Sequence, residues 1–307
     1  MQPPLLSIVV ATWNRSNVLR LAIEAALRST VTDWEMLVIG DACTDDTAEV
    51  VASFGDARIR FHDLAVNHGE QSGPNNEGIR MARGRYVAML NHDDLWTPDH
   101  LATCLEAIEC ETADLVFTLT LAFDHTDEPF LGGVTGSDRY TPYAFAPASS
   151  WLFRRELFDE VGPWRPARTM IAVPSQEWLF RAHRMGKRLL AVPKVTVVAV
   201  GSGGRPRSYA DREIDFNAAV ARALRDDPGF LQAALTRAAA RATLPSLGFA
   251  VLPHLARAAK NAVRRLIAAA GGNPNTPGLL LRFGGRGAYV DRLRKTRGLS
   301  PLPRRTA

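Results

Sequence analysis

Two adjacent carboxylates, Asp93 and Asp94, close the segment Asn91-His92-Asp93-Asp94, which directly follows the mainly apolar run Tyr86-Val87-Ala88-Met89-Leu90. Such a run reads as a buried strand, so the carboxylates stand on a rigid strand end and not on a mobile tip. Hard divalent cations such as Mg²⁺ or Mn²⁺ take oxygen ligands and need only one or two carboxylates when phosphates supply the rest. The cluster is therefore sized for a metal ion and a diphosphate, an ion that would neutralise charge building on a departing phosphorylated group. Two more polar clusters follow strand-like runs: Thr12-Trp13-Asn14-Arg15 after Leu6 to Ala11, and Asp41 with its neighbours after Glu35-Met36-Leu37-Val38-Ile39. In an open parallel sheet, ligands bind beyond the carboxyl ends of the strands, so three such clusters in succession point to a shared crevice. Taken singly, each is also what a turn or a helix cap would use.

The elements that must position these residues alternate strand and helix over the first 120 residues, the pattern of a mostly parallel α/β sheet flanked by helices. A third strand is expected from Arg58 to Phe61, between a helix bearing Val50, Val51 and Phe54 and a short helix from Asn75 to Ala82. Ser16 or Asn17 can cap a helix whose Val18, Leu19, Ala22, Ile23, Ala26 and Leu27 share one face. Thr97 as N-cap with Pro98 at the first helical position opens a helix bearing Leu101, Leu105 and Ile108. From Asp114 the pattern loosens into a fifth strand, a long loop rich in Gly, Thr and Asp, and the aromatic strand Ser150-Trp151-Leu152-Phe153. Ser175 can cap a helix through Met185, and Leu189 to Val200 suits one or two closing strands. After Gly201-Ser202-Gly203-Gly204 the chain is rich in Ala and Arg, and helices are expected over Asp211–Arg225, Phe230–Thr243 and Pro253–Ala270.

With 307 residues, 46% hydrophobic and 22% charged, the chain can bury a full core, which excludes disordered and fibrous classes. No run of about 18 apolar residues and no basic-then-apolar leader is visible, so the expected location is the cytoplasm. Cys43, Cys104 and Cys110 have neither metal-ligand spacing nor an even count, and read as small hydrophobes. The net charge of +5 is asymmetric. Residues 201–307 carry 19 Lys and Arg against 6 Asp and Glu, a net of +13, and the first 200 carry 18 against 26, a net of −8. In the expected helix Pro253–Ala270, Leu255, Ala259, Val263, Leu266 and Ala270 form one stripe with Arg257, Lys260, Arg264 and Arg265 largely off it. That pattern fits contact with an anionic membrane surface, and equally a surface helix packed on the domain.

Four segments then resemble, in order and spacing, the motifs of family 2 glycosyltransferases of the GT-A fold. They are Ser7 to Arg15; Asp41 to Thr47; Asn76-Glu77-Gly78-Ile79 with Ala82-Arg83-Gly84-Arg85-Tyr86; and Leu90 to Asp94 before Trp96-Thr97-Pro98-Asp99. The likeness is closest over the first 110 residues and continues more weakly to about 200. It implies a nucleotide-sugar-binding half over 1–110, an acceptor-binding half over 111–200 and a basic helical extension over 201–307. It further implies an inverting enzyme that moves a sugar from a nucleotide-diphosphate sugar to a hydroxyl acceptor, in the synthesis of cell-surface polysaccharide or glycolipid.

Residue by residue, the resemblance places Trp13 beside the nucleobase, with Thr12 and Asn14 shaping its pocket and Asp41 hydrogen-bonding the base. It makes Asp93 the carboxylate that binds Mg²⁺ or Mn²⁺, supported by Asp94 and Asn91, and sets Asn76 near the donor. Glu177, in Ser175-Gln176-Glu177-Trp178, resembles the acid that deprotonates the acceptor, although a helix N-terminus favours a Glu on its own account. Three positions depart from the family pattern: Asn91 for the first Asp of D-x-D, Gly40 for the first of a paired Asp-Asp, and Asn75 for a common Arg. Asn91 keeps a carbonyl oxygen and loses a charge, which leaves an inactive sugar-nucleotide-binding or scaffold protein as the alternative. A dinucleotide-binding dehydrogenase is excluded by the lack of a glycine-rich turn after the first strand. The basic tail carries no recognisable nucleic-acid motif. No role is assigned to His68, His92, Tyr140, Tyr143, Phe145, Trp151 or Trp164.

Overall fold

The computed structural model describes residues 2–124, 126–200, 206–212, 214–243 and 261–302. Nine strands form one mixed sheet: β1 (Leu6–Thr12), β2 (Trp34–Gly40), β3 (Ile59–Asp63), β4 (Tyr86–Met89), β5 (Asp94–Trp96), β6 (Leu115–Phe123), β7 (Pro129–Gly132), β8 (Trp151–Arg154) and β9 (Leu189–Ala199). Their order is β3-β2-β1-β4-β8-β6-β9-β5, with β7 paired to β6. β3, β2, β1 and β4 are parallel, and β8 is inserted antiparallel between β4 and β6. The halves expected from the sequence therefore share one sheet.

Side chains alternate across the strands, which divides the core between the two faces of the sheet. Ile8, Val10, Met36 and Val38 pack with Leu19 and Ile23 of α1 (Ser16–Leu27), Val51 of α2 (Thr47–Ala52), and Leu101 and Ile108 of α4 (His100–Cys110). Val9, Leu37, Val87 and Met89 pack on the other face with Ile79 of α3 (Ser72–Met81), Leu157 of α5 (Glu156–Val161), and Trp151, Trp164 and Trp178. Each such side chain, fully buried, contributes about 1.5–3 kcal/mol. Covering both faces leaves β1 and β2 apolar along almost their whole length, as a parallel sheet requires.

Several boundaries differ from the sequence reading. The third strand runs two residues further, to Asp63. α4 starts at His100, because the Thr97 N–H donates to the Thr196 carbonyl (2.9 Å) and prolongs the pairing of β5 with β9. α6 (Pro174–Arg184) takes Pro174 into its first turn, and α7 (Asp215–Asp226) begins four residues later than expected. α8 (Phe230–Thr243) coincides with its expected range. The Gly201–Gly204 break and the part of the expected Pro253–Ala270 helix before residue 261 lie outside the described residues, and residues 261–269 are helical. Two further helices, Thr276–Phe283 and Ala288–Thr296, complete the basic region. Among the described residues no helix is long and apolar enough to cross a membrane.

One buried group ties this fold to pH. His100 is fully buried, its ring stacked on Trp96 at 4.4 Å and its Nδ1 2.7 Å from Thr196 Oγ1. Burial pushes its pKa down to about 3, against a weaker opposing pull from Asp99. The folded state thus refuses a proton that the unfolded chain binds below about pH 6.5, so this contribution to stability is complete above that pH and is lost as pH falls toward 3. Against His100→Gln, the native protein is expected to lose up to about 1.4 kcal/mol more per pH unit across that window. Urea unfolding at pH 7, 6, 5 and 4 measures it, and parallel pH profiles for the two proteins would contradict it.

Candidate active site

A cavity of about 210 Å³ opens where the carboxyl ends of β1, β2 and β4 meet. Ala11, Thr12 and Trp13 reach it from the end of β1, Asp41 from the end of β2, and Asn91, His92 and Asp93 from the end of β4. The loop before α3 adds Gly69, Glu70 and Gln71, and the start of α6 adds Val173 and Pro174. A fourth side comes from far along the chain: Tyr209, Val290, Leu293, Arg294, Arg297 and Leu299. The three polar clusters read from the sequence thus share one crevice, as the open-sheet rule requires.

Local chemistry explains how each strand end is held. Asp41 is buried and accepts backbone N–H groups of His68 and Gly69, one on each carboxylate oxygen, both at 2.8 Å. Burial raises its pKa, and those two N–H groups act against the rise. The same loop is fixed again by Asn67 Nδ2, which donates to the Asp41 carbonyl at 2.6 Å. Gly40 has a structural cause, since a Cβ there would collide with the Asp63 carboxylate, which accepts the Cys43 N–H.

At the β4 end the two carboxylates separate in role. Asp93 lines the cavity, whereas Asp94 is buried at the start of β5 and accepts from Asn91 Nδ2 (2.8 Å) and from Ser149 Oγ. Burial, reinforced by the neighbouring charge of Asp93, raises the Asp94 pKa. Asn91 fits this place because its amide donates to Asp94, where an aspartate would set a second negative charge against a buried carboxylate. Its Oδ1 stays available as an acceptor. Among the described residues no three His, Cys, Asp or Glu side chains form a metal cluster. Asp93 with the Asn91 carbonyl oxygen still offers the two hard ligands that suit a cation taking its other oxygens from phosphates.

Trp13 stands beside Tyr209, with ring centroids 6.2 Å apart and planes 23° from parallel. Tyr209 Oη shares a hydrogen bond with His92 Nε2 at 3.0 Å. Burial lowers the His92 pKa to about 4, against the pull of Asp93, so the ring is neutral at pH 7.

Besides Asp94, three candidate site residues, Asn14, Asn76 and Glu177, do not line this cavity. Asn14, at φ 49°, bridges two loops, with Nδ2 donating to Thr44 Oγ1 (2.9 Å) and Oδ1 accepting the Thr44 N–H (2.7 Å). Asn76 spends its amide on the Trp164 backbone, donating to the carbonyl at 2.9 Å and accepting the N–H at 2.8 Å, and so clasps α3 to the loop before α6. Glu177 has both oxygens taken by guanidinium groups, Arg165 Nη1 at 3.2 Å and Arg181 Nε at 3.1 Å. Each oxygen keeps a further lone pair, so these contacts fix where the carboxylate sits, beside Arg165 and Arg181 and outside the cavity lining. Glu177→Gln is accordingly expected to lower stability by about 1 kcal/mol and to leave transfer within about threefold of the native rate. Parallel thermal melts and transfer assays decide it, and a collapse of transfer at unchanged stability would restore the base role.

The residues missed from the sequence are Tyr209, Arg294, Arg297 and the Gly69–Gln71 loop. Only the basic excess after residue 200 hinted at the arginines, and nothing in their local pattern pointed back to the sheet.

Comparison with known proteins gives this arrangement a family. The model of Glycosyl transferase family 2 matches residues 7–162. The putative colanic acid biosynthesis glycosyl transferase WcaA of Escherichia coli K12 is 34% identical over 104 residues, which cover 33% of this chain and 37% of that protein. The chain spans between 35% and 59% of the length of the first three curated relatives it matches. Among solved structures, Staphylococcus aureus TarS 1-349 superposes with a TM-score of 0.56 at 17% identity, covering 97% of this chain and 90% of that one. The mannosyltransferase PcManGT of Pyrobaculum calidifontis, solved with GDP-Man and Mn²⁺, gives 0.53 at 18% identity, covering 97% and 88%. These superpositions show the fold to be of the GT-A type. The chain belongs to glycosyl transferase family 2.

Proposed function

We propose that this protein is an inverting glycosyltransferase that moves a sugar from a nucleotide-diphosphate sugar to a hydroxyl acceptor in cell-surface polysaccharide or glycolipid synthesis. The observation that carries the reading is the convergence of Thr12, Trp13, Asp41, Asn91 and Asp93 on one cavity at the carboxyl ends of three neighbouring parallel strands. The product class is supported by the names of two relatives, the putative colanic acid biosynthesis glycosyl transferase WcaA and the succinoglycan biosynthesis protein ExoO. Trp13 offers an aromatic face to the nucleobase, and Asp41, held rigid by two N–H groups, offers its remaining lone pairs to base or ribose. Thr12 Oγ1, buried without a partner, is a further group that a bound donor would satisfy.

Asp93 and Asn91 would hold Mg²⁺ or Mn²⁺, with Asp94 orienting Asn91 from behind. When bound, such an ion supplies charge neutralisation to the leaving diphosphate. The complex of PcManGT with GDP-Man and Mn²⁺ supports this assignment. In the transfer itself the acceptor oxygen bonds to the anomeric carbon as the bond from that carbon to the diphosphate breaks, and the acceptor proton passes to a base. Asp41 and Glu70 line the cavity with lone pairs beyond those their hydrogen-bond donors use, and are the candidates to take that proton.

The test is incubation with UDP-, GDP- and dTDP-sugars in Mn²⁺ or Mg²⁺, read as nucleotide release. We assign the protein to the cytoplasm, resting on the inner face of the cell membrane. The support is the +13 charge of residues 201–307 and the exposure of Val263, Leu266 and Leu281 beside Arg264, Arg265 and Arg282. Apolar and basic side chains interleaved in this way suit an anionic lipid surface.

A further inference from the structure

The side of the cavity built by the C-terminal region is tied down at several points. The helix Ala288–Thr296 joins the turn at Ala167–Thr169 through the Gly287 N–H, which donates to the Met170 carbonyl at 2.9 Å. Arg294, itself buried, donates through Nη1 to the Gly69 carbonyl and through Nε to the Ser300 carbonyl. Behind Tyr209, Arg15 Nη1 donates to the Ser208 carbonyl at 2.6 Å, and the Tyr209 N–H donates to the Arg297 carbonyl at 3.2 Å. Residues roughly 200 to 290 positions beyond the sheet's first strand thus form a fixed wall opposite Trp13, Asp41 and Asp93.

Two guanidinium groups meet at that wall. The Arg15 and Arg297 guanidinium carbons lie 4.9 Å and 5.2 Å from the centroid of the one Tyr209 ring. Both Nε atoms are buried with no hydrogen-bond partner. Buried donors of this kind are satisfied in nearly all folded proteins, and here a third orphan, Thr12 Oγ1, belongs to a residue lining the same space. Like charges gathered on one ring, with donors to spare, call for an anion rich in acceptor oxygens. Of the two, Arg297 lines the cavity and Arg15 does not. Arg294 already spends its guanidinium on two carbonyls.

We propose that Arg297, delivered by the C-terminal helix and steadied against Tyr209, binds the diphosphate of the nucleotide donor. The inference rests on the reading of the cavity as a donor site. Its chemical sense lies in Asn91: with one carboxylate where the family pattern has two, a permanent cation on the opposite wall supplies charge that the strand end no longer gathers through a metal alone. A guanidinium presents paired N–H donors to phosphate oxygens, which a lysine ammonium does not reproduce.

The test compares native protein, Arg297→Gln and Arg297→Lys by calorimetric titration with UDP, GDP and dTDP and with the matching nucleosides, in Mn²⁺ and again in EDTA. For the nucleotide that the native protein binds, Arg297→Gln is expected to weaken the diphosphate about tenfold or more while the matching nucleoside changes less than about twofold. Arg297→Lys is expected to fall between native protein and Arg297→Gln for the diphosphate alone. It also decides the matter if the glutamine variant does not fold. An equal loss for nucleoside and diphosphate would mean a collapsed wall, and no loss would mean no contact; either overturns the inference and leaves the donor site standing. Failure of the native protein to bind any of the three diphosphates would overturn the donor-site reading, and the inference with it.

Discussion

Asp93→Ala is expected to reduce nucleotide release from a donor sugar by about 100-fold or more while leaving the protein folded. Asp93 is the one carboxylate at the β4 end that lines the cavity, and Asp94 is turned to Asn91 and Ser149. Removing a group that stabilises developing charge in a transition state costs about 2.7–4 kcal/mol, which sets the size of the effect. Truncating a cavity-lining carboxylate opens no hole in the apolar core, so the thermal transition should stay close to that of the native protein. Nucleotide release with Mn²⁺ present, alongside a melt of each protein, measures both. Retention of more than a tenth of the native rate would contradict the assignment.

Trp178→Ala should cost far more stability than Asp93→Ala, Glu177→Gln or either Arg297 variant. Trp178 is fully buried on α6, its ring stacked on Trp151 at 6.0 Å and tilted against Phe153 at 5.3 Å and Trp164 at 6.4 Å. Its Nε1 donates to the Gly162 carbonyl at 2.8 Å, so truncation also strands a polar group. Large aromatic deletions in such a setting cost about 3–5 kcal/mol, a large share of the roughly 5–15 kcal/mol that holds a domain folded. The same helix begins with Pro174 at the cavity, so donor binding should weaken along with stability. Urea unfolding checks the first claim, and a loss below about 1 kcal/mol would show that the tryptophan cluster does not bear the load assigned to it.

Much of this was legible in the residues. β1, β2 and β4 announced themselves because strands covered on both faces must be apolar throughout, and the polar residues after them could only mark strand ends. β5 did not, since Asp94-Leu95-Trp96 is three residues long and its partner lies at Val197–Ala199, beyond the reach of local periodicity. Asn14 and Asn76 were read toward the donor, and in the structure Asn14 clasps Thr44 through its hydroxyl and N–H while Asn76 clasps the Trp164 backbone. An amide side chain carries donors and an acceptor wherever it sits, and only the fold decides whether loop or ligand uses them. Glu177 shows the same limit, because a carboxylate at a helix start looks alike whether it faces substrate or two arginines. Tyr209 and Arg297 were invisible for a different reason: the wall they build is made by tertiary packing across roughly 200 to 290 residues, and basic helices look the same whether they cover a site or face solvent.

The central claim is that the crevice at the ends of β1, β2 and β4 binds a nucleotide-diphosphate sugar. Thermal unfolding with UDP-, GDP- and dTDP-sugars in Mn²⁺ tests it most directly. The account predicts that at least one donor raises the transition by several degrees in the native protein, as a ligand at about 100 times its dissociation constant adds about 2.7 kcal/mol. It also predicts that the shift shrinks in Asp93→Ala. No shift with any donor, or an undiminished shift in Asp93→Ala, would contradict it.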